Sequence, residues 1–549
     1  MKAAASLALS ATERTVALIL LGAATLLRVP YIFNYRVNSD EPQHLHVVWG
    51  WTRGLLQYKD LSDNHPPLFH ALMAPILALV GERPEAVTLM RFAMLPLALA
   101  AIWLTYAIAA RLWDRRVALW SAVLLACHYE FFFKSVEFRT DNLWTVGWLA
   151  SLALLAGGPI SAWRAAAAGA ALGADACVSQ KTALLAAALV GALAVVALSR
   201  EARRSMPWPR LIRLAAAAAA GLAAAPLAVV GYFASRGALG ALAGGVLTQN
   251  LVPGLGNWRE LWRPLLLPAG AALAVRCSRP ALASAGADGA RVRRVALALA
   301  AGLYGVALES VWPLVTGQDY LPAFPLAAIL AAAGLAAWER RRPGAAPGLA
   351  LAAVLAAECV VIVFKGPVWR DRAAPQTALV ADTLRLTGRD DAVIDTKGET
   401  VFRRRAFFPV LETVTVERLR RGTLPDTLAE DAVRSLCYVA APDSARFPAR
   451  GRAFLNANFI SVGAVRVAGS MLPAPSAAFD IAVPGRYAVV TPRGPAVGAL
   501  DGTPYDGPRR LSAGAHEFLA SGGSPAAAVV WAGAVERGFS PFAAEAGRS

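Results

Sequence analysis

Repeated apolar runs of about 17–25 residues, the length that crosses a hydrocarbon core, decide what this chain can fold into. They lie near 15–33, 87–112, 117–134, 142–157, 162–180, 182–198, 211–234, 263–275, 295–315, 320–337 and 349–365. In lipid every backbone N–H and C=O must be satisfied within its own segment, so such runs are read as helices. The composition agrees: 57% of the residues are hydrophobic and 17% charged, against about 25% charged in an ordinary soluble domain. The run Val16 to Phe33 has no small-residue cleavage site before Asp40. It is read as a retained anchor, not a signal peptide.

The formal net charge is +17. Nucleic acid is one partner for such a charge, but its placement argues against that class. The arginines gather in short loops between apolar runs, as at Arg111/Arg115/Arg116, Arg200 to Arg213, Arg276 to Arg294 and Arg340 to Arg342. That is the pattern of positive-inside anchors. These loops fall on one side, with the N-terminus, if the shorter run Pro66 to Gly81 lies at the membrane surface and does not span. The expectation is about eleven transmembrane helices, a cytoplasmic N-terminus and an extracytoplasmic (periplasmic) carboxyl-terminal third, in a multi-pass protein of the inner (plasma) membrane. The five cysteines contain no CxxC pair, hence no disulfide framework and no zinc ligand set. Gly169 and Gly173 stand in a GxxxG frame, which lets helix backbones approach closely.

Past about residue 367 the apolar runs stop. "AVIDT", "CYVAA" and "FISVGAVRVAG" read as strands, and "LPDTLAEDAVRSL" as a helix. Pro473-Ala474-Pro475 reads as a linker. "FDIAVPGRYAVV", "VGALDGTPYDG", "RRLSAGAHEFLA" and "AAAVVWAG" then read as strands split by turns. The expected domains are a transmembrane bundle over 1–366, a small α/β domain over 367–472 and a β-sandwich-like domain over 473–549. The last is short for a sandwich and is expected to lean on its neighbour.

Polar residues collect in the loops opposite the arginines. Asp40-Glu41, in "NSDEPQHLH", can serve as a general base or cation ligand, or be a solvated loop. His65, before Pro66-Pro67, can meet a phosphate or cap the following helix. Glu137, Arg139 and Asp141 share a short loop in which Arg139 is expected to pair with an acid. Lys181, between two spans, can snorkel or hold a phosphate. Asp175, Glu309 and Glu358 are costly inside spans unless paired or facing a cavity. By parity Asp40, Glu41, His44, His65, Arg139, Asp141, Lys181 and Asp319-Tyr320 all fall on the outer face. Acids beside bases at the lipid boundary suit a substrate whose anionic head joins a lipid tail.

Here the sequence resembles a family. "DE" in the first outer loop, "HPPL" before the next helix and "R-x-D" in the second outer loop look like the polyprenyl-phosphate-sugar-dependent glycosyltransferases of the C-type (GT-C) fold. So do the "G-x-x-x-G…K" helix pair and the late "YLPAFPLAAIL". The branch is the protein O-mannosyltransferase-like and aminoarabinose-transferase-like one. The resemblance runs over roughly 15–200 and is patchy to about 340. It implies that Asp40 matches the first-loop catalytic aspartate, with Glu41 its acidic neighbour, and that Asp141 matches the acid of the second loop. Lys181 matches a lysine near the lipid phosphate. His65 stands where relatives carry a lysine before proline, and with Arg139 it completes the implied donor-phosphate set. Asp319-Tyr320 stands where relatives often have a basic residue before tyrosine, so Arg259 or Arg263 is the substitute. His44, Arg259 and Tyr320 are further substrate-binding candidates. The implied reaction is inverting transfer of a sugar from a polyprenyl-phosphate donor to a hydroxyl of a lipid, glycan or protein acceptor. No cofactor is expected. Some members of the wider fold use a divalent metal, and no dedicated ligand set for one is visible.

Two other classes fit parts of the sequence. A lipid-linked sugar transporter or flippase is expected to hold its polar site near the midplane, often in repeated halves, and no internal repeat is visible. A membrane-anchored carbohydrate-binding protein would not need about eleven spans.

Overall fold

In the computed structural model, residues 9–198, 207–260, 262, 265–270, 272, 290–341, 347–472, 477–521 and 526–542 are described. They form two compact units. The first holds 1–36, 64–73 and 88–371; the second holds 37–63, 74–87 and 372–549.

Helices coincide with ten of the apolar runs. Ala11–Asn34 covers the first, and Ala86–Arg91 with Met94–Leu112 the second. Arg115–Cys127, Tyr129–Lys134, Thr140–Ala156, Ala162–Ala176, Thr182–Ala197 and Trp208–Ser235 follow, then Ala290–Val311, Phe324–Arg341 and Pro347–Lys365. The run 263–275 lies largely outside the described residues, as do Cys277 and many of the loop arginines. Among the described residues, four helices are long and apolar enough to cross a membrane by length and composition: Ala11–Asn34, Ala86–Leu112, Trp208–Ser235 and Ala290–Val311. The first unit is thus that of a polytopic α-helical membrane protein.

Helix ends are set by polar residues. Ser10 accepts the Glu13 N–H at 3.0 Å, and Asp114 accepts that of Val117 at 2.9 Å, each an N-cap. At the far end of Ala11–Asn34, Arg91 donates to the carbonyls of Ile32 and Tyr35, both at 2.9 Å, and of Arg36 at 3.0 Å. One buried guanidinium thereby satisfies carbonyls at and just past a helix end, where intrahelical donors run out. Tyr31, Ile32 and Tyr35 pack there on Phe132, Phe133 and Ile362.

The glycine frame acts as the sequence suggested. A Cβ on Gly169 would overlap the carbonyl oxygen of Ala218, and one on Gly173 that of Leu222. From the other side, a Cβ on Gly221 would overlap the carbonyl of Ala166. Helices Ala162–Ala176 and Trp208–Ser235 therefore touch backbone to backbone. Gly169→Leu is expected to force them apart, costing about 1–3 kcal/mol or more. A sharp fall in folded, monodisperse protein by detergent size-exclusion chromatography is the check, and an unchanged yield would refute the close contact.

In the second unit a nine-stranded sheet has the order β11-β7-β13-β5-β3-β1-β2, with β4 beside β5 and β8 beside β7. The strands are β1 Ala392–Ile394, β2 Arg404–Arg405, β3 Val439–Ala440, β4 Phe459–Val462, β5 Val465–Leu472, β7 Gly485–Thr491, β8 Gly494–Pro495, β11 Arg509–Leu511 and β13 Ala527–Trp531. A second sheet, β10-β9-β12-β6, is built from β6 Ala477–Ile481, β9 Gly498–Leu500, β10 Thr503–Tyr505 and β12 Gly514–Ala520. Side chains alternate along a strand, so each long strand feeds two cores. Ile394, Val489 and Val529 join Leu428, Leu455, Phe479 and Phe518 on one face. Val393, Val490 and Val530 join Leu379 and Leu386 on the other.

The expected division at residue 473 therefore meets a continuous structure. The sheet and its first core run from Ile394 to Val529. The physical reason is size: a segment of this length buries too little apolar surface to stand alone, so its strands extend the sheet of the preceding segment. Residues 37–63 also belong to this unit and not to the bundle segment 1–366.

Candidate functional site

The residues singled out in the sequence fall into two groups, one in each unit. In the first unit an alternating chain of charges runs from Lys134 through the turn before helix Thr140–Ala156 to Lys181 and Asp319. Lys134 Nζ donates to both Glu137 oxygens at 3.1 and 3.0 Å. Arg139 binds Glu137 at 3.2 Å through Nη1 and Asp141 at 3.1 Å through Nε. Lys181 Nζ lies 3.4 Å from Asp141 Oδ1 and is ion-paired with Asp319 Oδ1. Its charge also sits 5.1 Å above the Trp144 ring.

The loop that carries these groups is braced by Asn142, which donates to the carbonyls of Lys134 and Glu137 at 3.0 Å. Asp319 is braced too: its Oδ2 accepts the Thr316 N–H at 2.7 Å and the Thr316 hydroxyl at 2.9 Å, and Tyr304 donates to its carbonyl at 2.5 Å. Glu137, Arg139, Asp141 and Asp319 are buried. His65 lies within electrostatic reach of Asp141.

The structure thus brings together Arg139, Asp141, Lys181, His65 and Asp319. Arg139 pairs with two acids, where the sequence suggested one. Tyr320 points its hydroxyl to Glu309. Glu358 accepts the Tyr129 N–H at 2.8 Å. Asp175 is buried against Gly147, and its Oδ2 has no hydrogen-bond partner among the described residues. Arg263 and the side chain of Arg259 lie outside the described residues.

The second unit holds Asp40, Glu41 and His44. Asp40 opens the helix Asp40–Thr52, and its backbone N–H donates to Asn38 Oδ1 at 3.1 Å. Glu41 is fully buried and folds back to accept the Asn38 N–H at 2.8 Å. These two bonds fix the turn before the helix, in the reciprocal manner of a capping box. His44 is buried. Asp40 alone of the three acidic or basic side chains keeps appreciable exposure, with 24% of its side chain accessible.

Asp40 is also paired with a residue that its sequence neighbourhood does not suggest. Lys397 Nζ makes an ion pair with Asp40 Oδ1, and the lysine side chain is only 5% exposed. Lys397 rides on the turn after β1, and that turn is held by buried acids. Asp395 accepts the N–H groups of Gly398 at 2.9 Å and Thr400 at 3.1 Å, and Arg405 Nε at 2.7 Å. Glu399 accepts the N–H groups of Thr396 at 3.0 Å and Lys397 at 2.6 Å. Gly398 has φ +82°, and a Cβ there would stand 2.8 Å from His46 Cβ, so glycine is required for the turn to lie against the helix. Turn-forming Asp, Thr and Gly in "DTKGET" were the available signal; nothing local said which helix they would meet.

His46 Nδ1 donates to the Val401 carbonyl at 2.8 Å, since a carbonyl can only accept. Burial pulls the His46 imidazole below its usual range, opposed by the charge of Asp395 and this hydrogen bond, with Arg405 and Asp63 also facing it. Asp395 is held below the usual carboxylate range, against the effect of its burial, by Arg405 and by hydrogen bonds from Thr400, and burial raises Glu399. A histidine whose native affinity for a proton is lowered gives stability that is complete above about pH 6.5 and lost as pH falls below it, where only the unfolded chain takes up the proton. Thermal midpoints of the purified protein are thus expected to fall from pH 6.5 to 5, with a shallower slope in His46→Asn. Equal slopes would show that His46 is not buried neutral.

Among the described residues, no group of three or more His, Cys, Asp and Glu side chains is placed to hold a metal ion.

Residues 64–231 match the family model described as dolichyl-phosphate-mannose-protein mannosyltransferase. No curated protein sequence matches the chain. Among solved structures, ArnT from Cupriavidus metallidurans in the apo state is similar, with 15% identity, a TM-score of 0.54 and 83% of this chain covering 97% of that one. ArnT from the same organism bound to undecaprenyl phosphate gives 15% identity and a TM-score of 0.51, covering 79% and 94% of the two chains. The chain therefore shares the fold of these ArnT structures, and its family match covers the segment 64–231.

Proposed function

We propose that this chain is an inverting glycosyltransferase that moves a sugar from a polyprenyl-phosphate donor to a hydroxyl acceptor on the extracytoplasmic face of the membrane. The observation that carries the reading is Asp40. It is an accessible carboxylate at a helix start, beside acids that are folded away, and it stands where the resemblance puts the catalytic aspartate. The family match and the undecaprenyl phosphate bound by the similar ArnT support a lipid-phosphate donor.

In this reading Asp40 accepts the proton of the acceptor hydroxyl as its oxygen attacks the anomeric carbon. The bond from that carbon to the phosphate oxygen breaks on the opposite face, and the lipid phosphate leaves as an anion. A phosphate is a good leaving group, so no general acid is needed. Lys181, with Arg139 and His65, stabilises the charge that grows on it. Asp141 and Asp319 hold Lys181 in place, and Asp141 also fixes Arg139. Glu41 shapes the turn that presents Asp40. His44, Tyr320 and Arg259 remain substrate-binding candidates, and no step is routed through a metal. Lys397 of the carboxyl-terminal segment pairs with Asp40, and that segment is proposed to be extracytoplasmic.

Mass profiling of glycans and lipids in membranes of wild-type, deletion and Asp40→Asn-complemented cells tests this. A sugar-sized increment missing from both the deletion and the Asp40→Asn strain is expected, and its mass identifies the sugar. Full restoration by Asp40→Asn would remove Asp40 as an essential base and favour a transporter or binding protein.

A further inference from the structure

A cavity of about 1130 Å³ opens in the first unit at the ends of three helices. Helices Ala11–Asn34 and Met94–Leu112 form its two walls, and Arg115–Cys127 contributes Leu119 and Ala122 to its lining. The lining is graded along its length. At one end stand Arg14, Arg115 and Arg116; further along come Leu18 and Leu21 on one wall and Leu99 and Trp103 on the other. Arg14 and Leu21 are seven residues apart on one helix, about 10 Å at 1.5 Å per residue.

The charges at the polar end are unevenly paired: Glu13, at 2.6 Å, and Glu339 both bind Arg116. The Asp114 carboxylate accepts the Val117 N–H at 2.9 Å as a helix cap. Arg14 and Arg115 are exposed and make no ion pair among the described residues. Leu18, Leu99 and Trp103 are also exposed, at 56%, 46% and 62%. In a protein that spans a membrane such a groove faces acyl chains, and arginines without a carboxylate partner at its mouth favour an anionic headgroup.

We propose that this groove is a binding site for an anionic glycerophospholipid, with its phosphate at Arg14 and Arg115 and an acyl chain along Leu18, Leu21, Leu99 and Trp103. It is a different site from the one described above: its polar end lies at the start of helix Arg115–Cys127, whereas Lys134, Glu137, Arg139 and Asp141 follow that helix's other end. The inference stands on the groove alone and does not depend on the proposed reaction.

The test is native mass spectrometry of the full-length protein, delipidated in detergent and offered phosphatidylglycerol, phosphatidylethanolamine or undecaprenyl phosphate at equal concentration. Phosphatidylglycerol is expected to be retained at least about fivefold over phosphatidylethanolamine. Arg14→Gln/Arg115→Gln should abolish that preference, while the exposed pair Arg210→Gln/Arg213→Gln should leave it intact. Leu99→Trp, which fills the apolar part and changes no charge, should lower retention of phosphatidylglycerol. Equal retention of the two phospholipids by the wild type would overturn the proposal, as would an unchanged preference in Arg14→Gln/Arg115→Gln. Displacement of phosphatidylglycerol by an equal amount of undecaprenyl phosphate would assign the groove to the polyprenyl lipid and equally overturn it.

Discussion

Asp40→Asn is expected to lower turnover by about a hundred- to ten-thousandfold, the range that loss of a positioned general base brings. The substitution keeps size and hydrogen bonding and removes the charge. It also leaves the Lys397 ammonium, only 5% exposed, without its anionic partner. Breaking one side of a buried pair destabilises more than removing both sides. Two readouts should therefore separate. Asp40→Asn should lower both turnover and the thermal midpoint. Adding Lys397→Met should recover part of the midpoint and none of the turnover. Lys397→Gln alone, with Asp40 intact, should lose much less turnover than Asp40→Asn, and Lys397→Arg should restore most of that loss. Residues in contact are not additive, so a double variant whose turnover loss equals the product of the single losses would show that the pair does not act as one unit. Assay with a purified polyprenyl-phosphate sugar and mass detection of the product supplies the turnover, and unfolding by scanning fluorimetry the midpoint.

The bundle was legible because its signal is local. A run of apolar residues states its own helix, and Gly169 and Gly173 state how closely the next helix can come. Asp40-Glu41, Arg139-x-Asp141 and Lys181 stand out in the sequence by order along the chain and by charge parity. Their partners do not. Lys397 is 357 positions from Asp40, and a lysine in a turn reads as solvated unless the fold is known. Asp319 was read as a departure from a basic position, yet it is the acid that grips Lys181. The carboxyl-terminal segment misled in a different way. Its strands were visible as alternating β-branched and aromatic runs, but strand pairing is a long-range property. The antiparallel pairing of β5 with β13 joins Leu472 to Ala527 across the expected linker, and no local feature marks it. Helices Ala374–Leu386, Thr413–Arg420 and Ala449–Asn458 were also not anticipated. They are short, and part of each face is charged, so their periodicity is weak.

Lys181→Met is expected to cost about a hundred- to a thousandfold in turnover, as removal of one preorganised charge from a developing oxyanion does. It should also weaken retention of undecaprenyl phosphate. The structure adds a finer expectation through Asp319. The Lys181 ammonium is paired with Asp141 and Asp319. An incoming phosphate must share that ammonium or displace a carboxylate from it. Asp319→Asn removes one competitor and keeps the hydrogen-bonding shape against Thr316. It should therefore tighten undecaprenyl phosphate binding several-fold while leaving Lys181 less firmly placed, so turnover falls even as binding improves. The combination Lys181→Met/Asp319→Asn should bind no better than Lys181→Met alone, because the effect of Asp319 passes through the lysine. If Asp319→Asn tightens binding equally with and without Lys181, the carboxylate acts only as a distant like charge. If Lys181→Met keeps full affinity, the phosphate is held by other cations and Lys181 is a brace for Asp141 and Asp319. Titration of detergent-purified protein with undecaprenyl phosphate, followed by intrinsic tryptophan fluorescence, reads these differences, since Trp144 lies beneath the lysine.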